Sequence, residues 1–315
     1  MKTGPSTCRR GASIPPATWP GSLADEFRNF SESLTSARDP ESLVWGQPAR
    51  VPFWTELPAW VAARFGPPRS RPLKEFVNHV SWAQKLLFYG VRIHDDALDG
   101  EKISGGLIFA GDLCFLEAED FFHSAFGNST QFWKLYHTAL RRTLTGILRV
   151  AELQRTPRSS SAALLKCYHD VNALFTIAPA AVCEKVNKLE ALPPICTFVE
   201  HLATAAQILD DVEDLGEDLA RGTFNFAANV VVGRGGATAN QLLQSGGNER
   251  RFLTEKILLT ISRAARKELA LAEKSIARID FSKAQNVIAR LKTSIESLEE
   301  TASGPSNGRP PVLKY

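Results

Sequence analysis

From Glu26 onward, apolar residues recur mostly at three- and four-residue steps, interrupted by Pro- and Gly-bearing breaks rather than by the evenly spaced turns of a β-protein. The pattern predicts an all-α chain. Two stripes are clear: Val77, Val80, Ala83, Leu87 and Val91, and near the end Ile288, Leu291, Ile295 and Leu298. Breaks are predicted at Pro40, residues 66–72, 100–106, 127–129 and 156–161, Pro193–Pro194, and 233–236, leaving helices of bundle length between them. The run Val230 to Val232 is predicted to close a buried helix or enter a loop, because a three-residue strand would have no partner. With no repeat and no internal linker, one helical domain is expected over residues 23–301, with unpacked tails at 1–22 and 302–315.

Length and composition narrow the function classes. The chain has 315 residues, 44% apolar and 23% charged, which fits a folded domain with a large core and excludes disordered or fibrous chains. Its net charge of +3, without a long block of one sign, argues against a nucleic-acid surface. Five cysteines (Cys8, Cys114, Cys167, Cys183 and Cys196) are widely spaced with no C-x-x-C pair, so neither a disulfide framework nor a structural zinc motif is indicated; a reducing, cytoplasmic setting is expected. The basic N-terminus lacks the apolar run of a secretory signal, and a transit peptide is disfavoured by Pro5, Pro15, Pro16 and Pro20. No segment reaches the roughly 18 apolar residues of a membrane span.

Two acidic stretches carry the chemistry. In Ile93-His94-Asp95-Asp96-Ala97-Leu98-Asp99, Asp95 and Asp99 share a helix face, as do Asp96 and Asp99. The spacing recurs in Gln207-Ile208-Leu209-Asp210-Asp211-Val212-Glu213-Asp214, with Gln207 one turn before Asp211 and Asp218 one turn after Asp214. Like charges at this spacing repel, and a helix C-terminus is already partly negative, so each cluster costs stability unless a cation sits on it. No basic residue lies between Ile93 and Gly100, and none from Gln207 to Ala220, which distinguishes both from an ordinary solvated face with interleaved lysines. Hard Mg²⁺ suits such oxygen donors and is commonly completed by substrate phosphates.

These stretches resemble the class I isoprenoid enzymes, the trans-isoprenyl diphosphate synthases and the related helical terpene synthases. The segment from Trp82 to Asp99 is similar to the helix ending in that family's first aspartate-rich motif, Gly111-Asp112-Leu113 to the Gly-Asp-Leu that follows, and Gln207 to Gly222 to the second motif and its tail. The resemblance implies a bundle of long helices around a deep apolar cavity with the two motifs facing at its mouth. It implies that Asp95, Asp96 and Asp99 on one side, and Asp210, Asp211 and Asp214 assisted by Gln207 on the other, hold Mg²⁺, about three ions, against the diphosphate of a prenyl substrate. Lys102 and Arg221, which follow the two clusters, are candidates for diphosphate contacts or for neutralising the nearby acids; Arg92, one turn before the first, reads as structural. A homodimer is common among such enzymes. Phe88, Tyr89, Phe115, Phe121, Phe122, Phe175 and Phe198 are candidates for the cavity wall, each weighed against ordinary core packing.

Departures from the family pattern bear on the reaction. The Gly-Gly-Lys-x-x-Arg segment that grips isopentenyl diphosphate in chain-elongating members is missing; residues 63–72 offer Arg64, Arg69 and Arg71 instead. Paired arginines after the first motif are also missing, and the mid-chain Lys-Thr is replaced by residues from Tyr168 to Phe175. A second anionic substrate needs dedicated cations, so the sequence alone favours a class I terpene synthase that ionises one farnesyl- or geranylgeranyl-type diphosphate and cyclises the cation. Chain elongation with a rebuilt acceptor site is the alternative, and a non-catalytic partner subunit a third. For Asp95→Ala or Asp211→Ala, lost turnover with little change in stability is expected. Gly233-Arg234-Gly235-Gly236 reads as a loop rather than a phosphate cradle, His94 as a packed or hydrogen-bonded side chain, and His169 with Asp170 as no part of a serine triad.

Overall fold

A computed structural model describes residues 19–36, 53–65, 70–157, 159–235, 247–279 and 281–303, and every regular element among them is helical. In chain order these are α1 (Gly21–Ser36), α2 (Phe53–Arg64), α3 (Arg71–Leu98), α4 (Gly105–Phe126), α5 (Thr130–Gln154), α6 (Ser161–Asn172), α7 (Ile177–Lys185), α8 (Leu192–Glu213), α9 (Leu215–Arg221), α10 (Phe226–Gly235), α11 (Gly247–Ile276) and α12 (Ser282–Ser303). Pro40 and most of both tails lie outside the described residues. Within them, Trp19 is buried edge-on against Phe27, and Ala302 is buried in the last turn of α12.

The helix starts are set by short polar caps. Ser70, Ser104, Ser129 and Ser160 each accept the N–H three residues on, and Pro72, Pro193 and Pro194 sit in first turns, where a missing N–H costs nothing. The predicted break at 100–106 is made by Gly100, whose φ of 79° ends α3 in a conformation that disfavours a side chain. The break at 233–236 comes later than expected: α10 continues to Gly235, with Val230 and Val231 buried inside it, because apolar burial outweighs the helix-weakening glycine. Its backbone N–H groups are therefore committed to the helix rather than to a phosphate cradle. Gly236 is outside the described residues.

α8 is the hub, packing on α11, α6, α10 and α12. Its residues from Phe198 to Leu209 are buried with few exceptions, which is why that stretch reads as nearly continuous apolar sequence. Both predicted stripes face the core: Val80, Ala83 and Leu87 are fully buried in α3, as is Ile295 in α12. Arg142 of α5 ties the neighbouring α6 and α8, donating to Asp170 at 3.0 Å and to Glu200 at 2.7 Å. Against α4, α3 packs backbone to backbone. A Cβ on Gly90 would stand 3.0 Å from the Gly111 carbonyl oxygen, so the glycine is required for that approach. No helix among the described residues is long and apolar enough to cross a membrane.

Gly90→Ala is expected to destabilise by about 1–3 kcal/mol, although alanine is the better helix former by about 1 kcal/mol, because its methyl must push α4 away. Chemical denaturation of the variant checks this, and an unchanged or raised midpoint contradicts the close-approach assignment.

Candidate active site

Both acidic stretches lie where a core helix runs out, which is how one sequence pattern can be apolar and then carboxylate-rich. At the end of α3, the Asp99 N–H donates to the Asp95 carbonyl at 3.0 Å and the Glu101 N–H to the Asp96 carbonyl at 3.0 Å, so the chain curls over the cluster. Asp96 is buried, Asp95 is half-buried and Asp99 lies exposed at the rim. Arg92, one turn back, pairs with Asp96 at 2.8 Å and approaches Asp95 at 3.7 Å. Withdrawal from water pushes the Asp95 carboxyl up to about 6, with Asp99 and Asp96 adding to the rise and Arg92 opposing it. Asp96 and Asp99 are raised for the same leading reason.

The second cluster is built differently. Asp211 faces inward, only 3% exposed, and accepts from the Tyr168 hydroxyl at 2.7 Å, the Gln207 amide at 3.1 Å and the Phe226 N–H at 3.0 Å. Burial pushes its carboxyl up to about 8 against those donors. Asn225 locks the same corner, donating to the Asp211 carbonyl at 3.2 Å and to Asp218 at 2.5 Å. Burial raises Asp218 to about 6, chiefly with help from Asp214. Asp210 is half-buried and Asp214 is exposed at the break between α8 and α9. Gln207, expected beside a metal, donates to Asp211 in this structure.

The two clusters meet. Arg221, in the tail of the second, donates to Glu101 just past the first at 2.9 Å and also pairs with Glu217. Arg92, from the first, lies near enough to lower Asp214, and Arg155 and Arg221 lower Asp99. The end of α5 joins both sides: Arg155 donates to the Leu98 carbonyl at 3.1 Å, while the Phe224 N–H donates to the Gln154 carbonyl at 2.7 Å. Arg221 thus takes the neutralising role in this structure, Arg92 is an ion-pair partner of the first cluster, and Lys102 is exposed. The donor set fits a hard divalent cation. Carboxylates at two helix ends are linked through Arg221 and Glu101, although among the described residues no three of their oxygens lie within 4.8 Å of one another, and burial already pushes several of them toward protonation, which a bound cation would reverse.

The aromatic candidates divide. Phe122 and Phe198 are fully buried, Phe122 against Phe132 and Tyr136 and Phe198 against Phe281; Phe121 packs on Phe76, and Phe115 stacks on His94. Phe122 and Phe198 are core residues, and Phe115 and Phe121 are half-buried against that core. His94 is held as expected, with its Nε2 3.1 Å from Asp112. Phe88 is two turns before Asp95 on the same face of α3, and it lies tilted against Trp54 with centroids 4.3 Å apart and, with Tyr89 and Phe175 alongside, forms a wall beneath the first cluster. A cavity of about 680 Å³ lies elsewhere, at the far end of α8, lined by Thr130, Lys134, Arg142, Thr176, Cys196 and Glu200 among others. Sequence reasoning missed Tyr168 and Asn225. Neither has a spacing relation to the aspartates; only the contact of α6 and α10 with α8 brings them in.

Neither a protein-family model nor any curated protein matches the chain by sequence. Solved structures do match by fold. A geranylgeranyl pyrophosphate synthetase from the archaeon Geoglobus acetivorans superposes with a TM-score of 0.62 at 16% identity, covering 88% of this chain and 97% of that one. A decaprenyl diphosphate synthase from Rhodobacter capsulatus gives 0.61 at 14% identity, covering 89% and 96%. A polyprenyl synthetase from Streptomyces coelicolor gives 0.60 at 18% identity, covering 88% and 98%. The chain therefore has the all-α isoprenyl synthase fold over most of its length.

Two measurements test this geometry. Because the site carboxyls are raised above their ordinary 3.8, to about 6 for Asp95 and Asp218 and about 8 for Asp211, the folded state binds protons more tightly than the unfolded chain. In EDTA their contribution is complete below pH 3.8 and is lost as pH rises through 6 and 8. Asp95→Asn should flatten that loss relative to wild type, and Mg²⁺ should reduce it; identical melting profiles for variant and wild type from pH 4 to 8 contradict the assignment. Second, Asp211→Ala is expected to lower stability by about 1–3 kcal/mol, since it strands Tyr168 and Phe226 donors, whereas Asp214→Ala at the rim should stay within about 0.5 kcal/mol. For Asp211 this replaces the sequence-based expectation of unchanged stability, and urea unfolding of both variants measures it.

Proposed function

We propose that this chain is a Mg²⁺-dependent enzyme that ionises an allylic prenyl diphosphate and transfers the prenyl cation to an alkene acceptor, with isopentenyl diphosphate as that acceptor. The observation that carries the proposal is the meeting of two helix-end carboxylate clusters across Arg92 and Arg221, in a fold shared with prenyl diphosphate synthases. On this reading Asp95, Asp99, Asp210 and Asp214 would hold the cations, and Mg²⁺ bound there would supply the positive charge that a departing diphosphate needs. Asp96 pairs with Arg92, and Asp211, fixed by Tyr168, Gln207 and the Phe226 N–H, orients the end of α8, so both are positioning residues.

The carbon–oxygen bond breaks with its electron pair leaving on diphosphate; the acceptor alkene attacks the allylic carbon, and the carbocation left on the acceptor gives an adjacent proton to the departed diphosphate, which restores a double bond. The Phe88, Trp54 and Phe175 wall below Asp95 offers apolar surface for the prenyl chain and aromatic faces toward developing positive charge. Arg221 must exchange Glu101 or Glu217 for diphosphate if it is to contact the leaving group. A homodimer accompanies the proposal, supported by the exposed apolar side chains Phe109 and Leu116 on α4 and Leu148 on α5.

A second reading, cyclisation of a single prenyl diphosphate, is favoured by one feature: the basic groups available for a second diphosphate are few. Arg71 is exposed and tied to Glu75 at 2.8 Å, Arg64 ends α2, and Arg69 lies outside the described residues.

Incubation with Mg²⁺ and farnesyl or geranylgeranyl diphosphate separates the two. A longer prenyl diphosphate appearing only when isopentenyl diphosphate is present is the expected result; extractable hydrocarbon from the allylic substrate alone establishes cyclisation, and no turnover under either condition supports a non-catalytic subunit. In the active protein, Asp95→Ala or Asp210→Ala should reduce turnover by about 10²–10³-fold or more. Tyr168→Phe should weaken apparent Mg²⁺ affinity by about 10–100-fold with helicity unchanged.

A further inference from the structure

Away from the aspartates, three side chains that the proposed reaction does not use converge from three helices. His169 of α6, His201 of α8 and Glu268 of α11 each bring a potential ligand atom into a group whose members all lie within 4.8 Å of one another. The His201 Nδ1 is 2.6 Å and the His169 Nε2 3.1 Å from the same Glu268 oxygen, and the two rings meet edge-on with centroids 4.6 Å apart. We propose that His169, His201 and Glu268 form a second metal site, taking one divalent transition-metal ion of the zinc type and bracing α6, α8 and α11 together. It stands independently of the prenyl-transfer reading.

Three observations support it. Ligands about 2.0–2.2 Å from a tetrahedral zinc are about 3.3 Å apart; the His169–Glu268 spacing of 3.1 Å is close to that, the His201–Glu268 spacing of 2.6 Å must open to it, and all three ligand atoms already lie within 4.8 Å of one another. Glu268 is buried, and among the described residues its ion-pair partners are the two imidazoles, with no lysine or arginine; a buried carboxylate in that position is stabilised by a cation. The two histidines are 22% and 20% exposed, which gives an ion a path from solvent and leaves a fourth position for water.

Two imidazoles with one carboxylate select a borderline transition metal, whereas the all-oxygen aspartate clusters select Mg²⁺. The sites are also apart. His201 precedes Asp210 by about 14 Å along α8, and His169 points about 100° around α6 from Tyr168, the residue that donates to Asp211. Bracing α6 against α8 therefore holds Tyr168 in register with the acidic end of α8.

The full chain, stripped of metal and supplied with excess Mg²⁺ to fill the carboxylate clusters, is titrated with Zn²⁺. One equivalent should bind, raise Tm by about 5 °C, and show two imidazoles and one carboxylate oxygen in zinc-edge X-ray absorption. His169→Gln and His201→Gln should weaken that binding at least about 100-fold with circular dichroism unchanged, and Asp95→Ala should retain it whether or not it abolishes turnover. An all-oxygen zinc shell in the wild-type chain, which needs no variant to fold, overturns the site. So does a zinc equivalent that survives both histidine substitutions, or no binding beyond what Mg²⁺ displaces.

Discussion

Repulsion between carboxylates, partly withdrawn from water at the ends of two core helices, is the constraint on which the site is organised. At an effective dielectric of about 20, two such charges about 5.5 Å apart repel by ~3 kcal/mol. The protein offsets this locally. Arg92 and Arg221 reach into or across the clusters, and Asp211 is given three donors in place of water. Burial, with the neighbouring carboxylates adding to it, still holds carboxyls at about 6 in both clusters. In the proposed reaction those groups are where a divalent cation would bind, and α8 packs on α6 and α10 beside them.

Much of this was legible in the sequence. Helical period and Pro- and Gly-bearing breaks are local, so the stripes of α3 and α12 and most of the helix boundaries can be read from spacing alone. The aspartates were legible because they violate a local rule, like charges at helical spacing with no lysine between. The inward turn of Asp211 was not. Adjacent aspartates look alike in sequence, and the difference between Asp210 and Asp211 is decided by which one meets Tyr168 and the N-terminus of α10. Likewise His169, His201 and Glu268 have no common spacing, and only tertiary packing gathers them. Gly233 misled in the opposite direction, as a local breaker overridden by the burial of its valine neighbours.

The choice of acceptor turns on a different feature. The fold is shared with geranylgeranyl and decaprenyl diphosphate synthases, yet the Gly-Gly-Lys-x-x-Arg segment that the sequence resemblance leads one to expect is missing from this chain, and Arg71 pairs with Glu75. A fold sets where the leaving group and the greasy chain can lie; the identity of the nucleophile depends on a few side chains around the opening.

The contact between Gly90 and Gly111 has a mechanical consequence. Helices that touch through backbone cannot slide or tilt past one another without collision, so α3 and α4 form a single stiff slab bearing Asp95, Asp96 and Asp99. Any change in the distance between the two acidic clusters would therefore be taken up on the opposite bank, around α9, where a seven-residue helix ends at a left-handed glycine, Gly222.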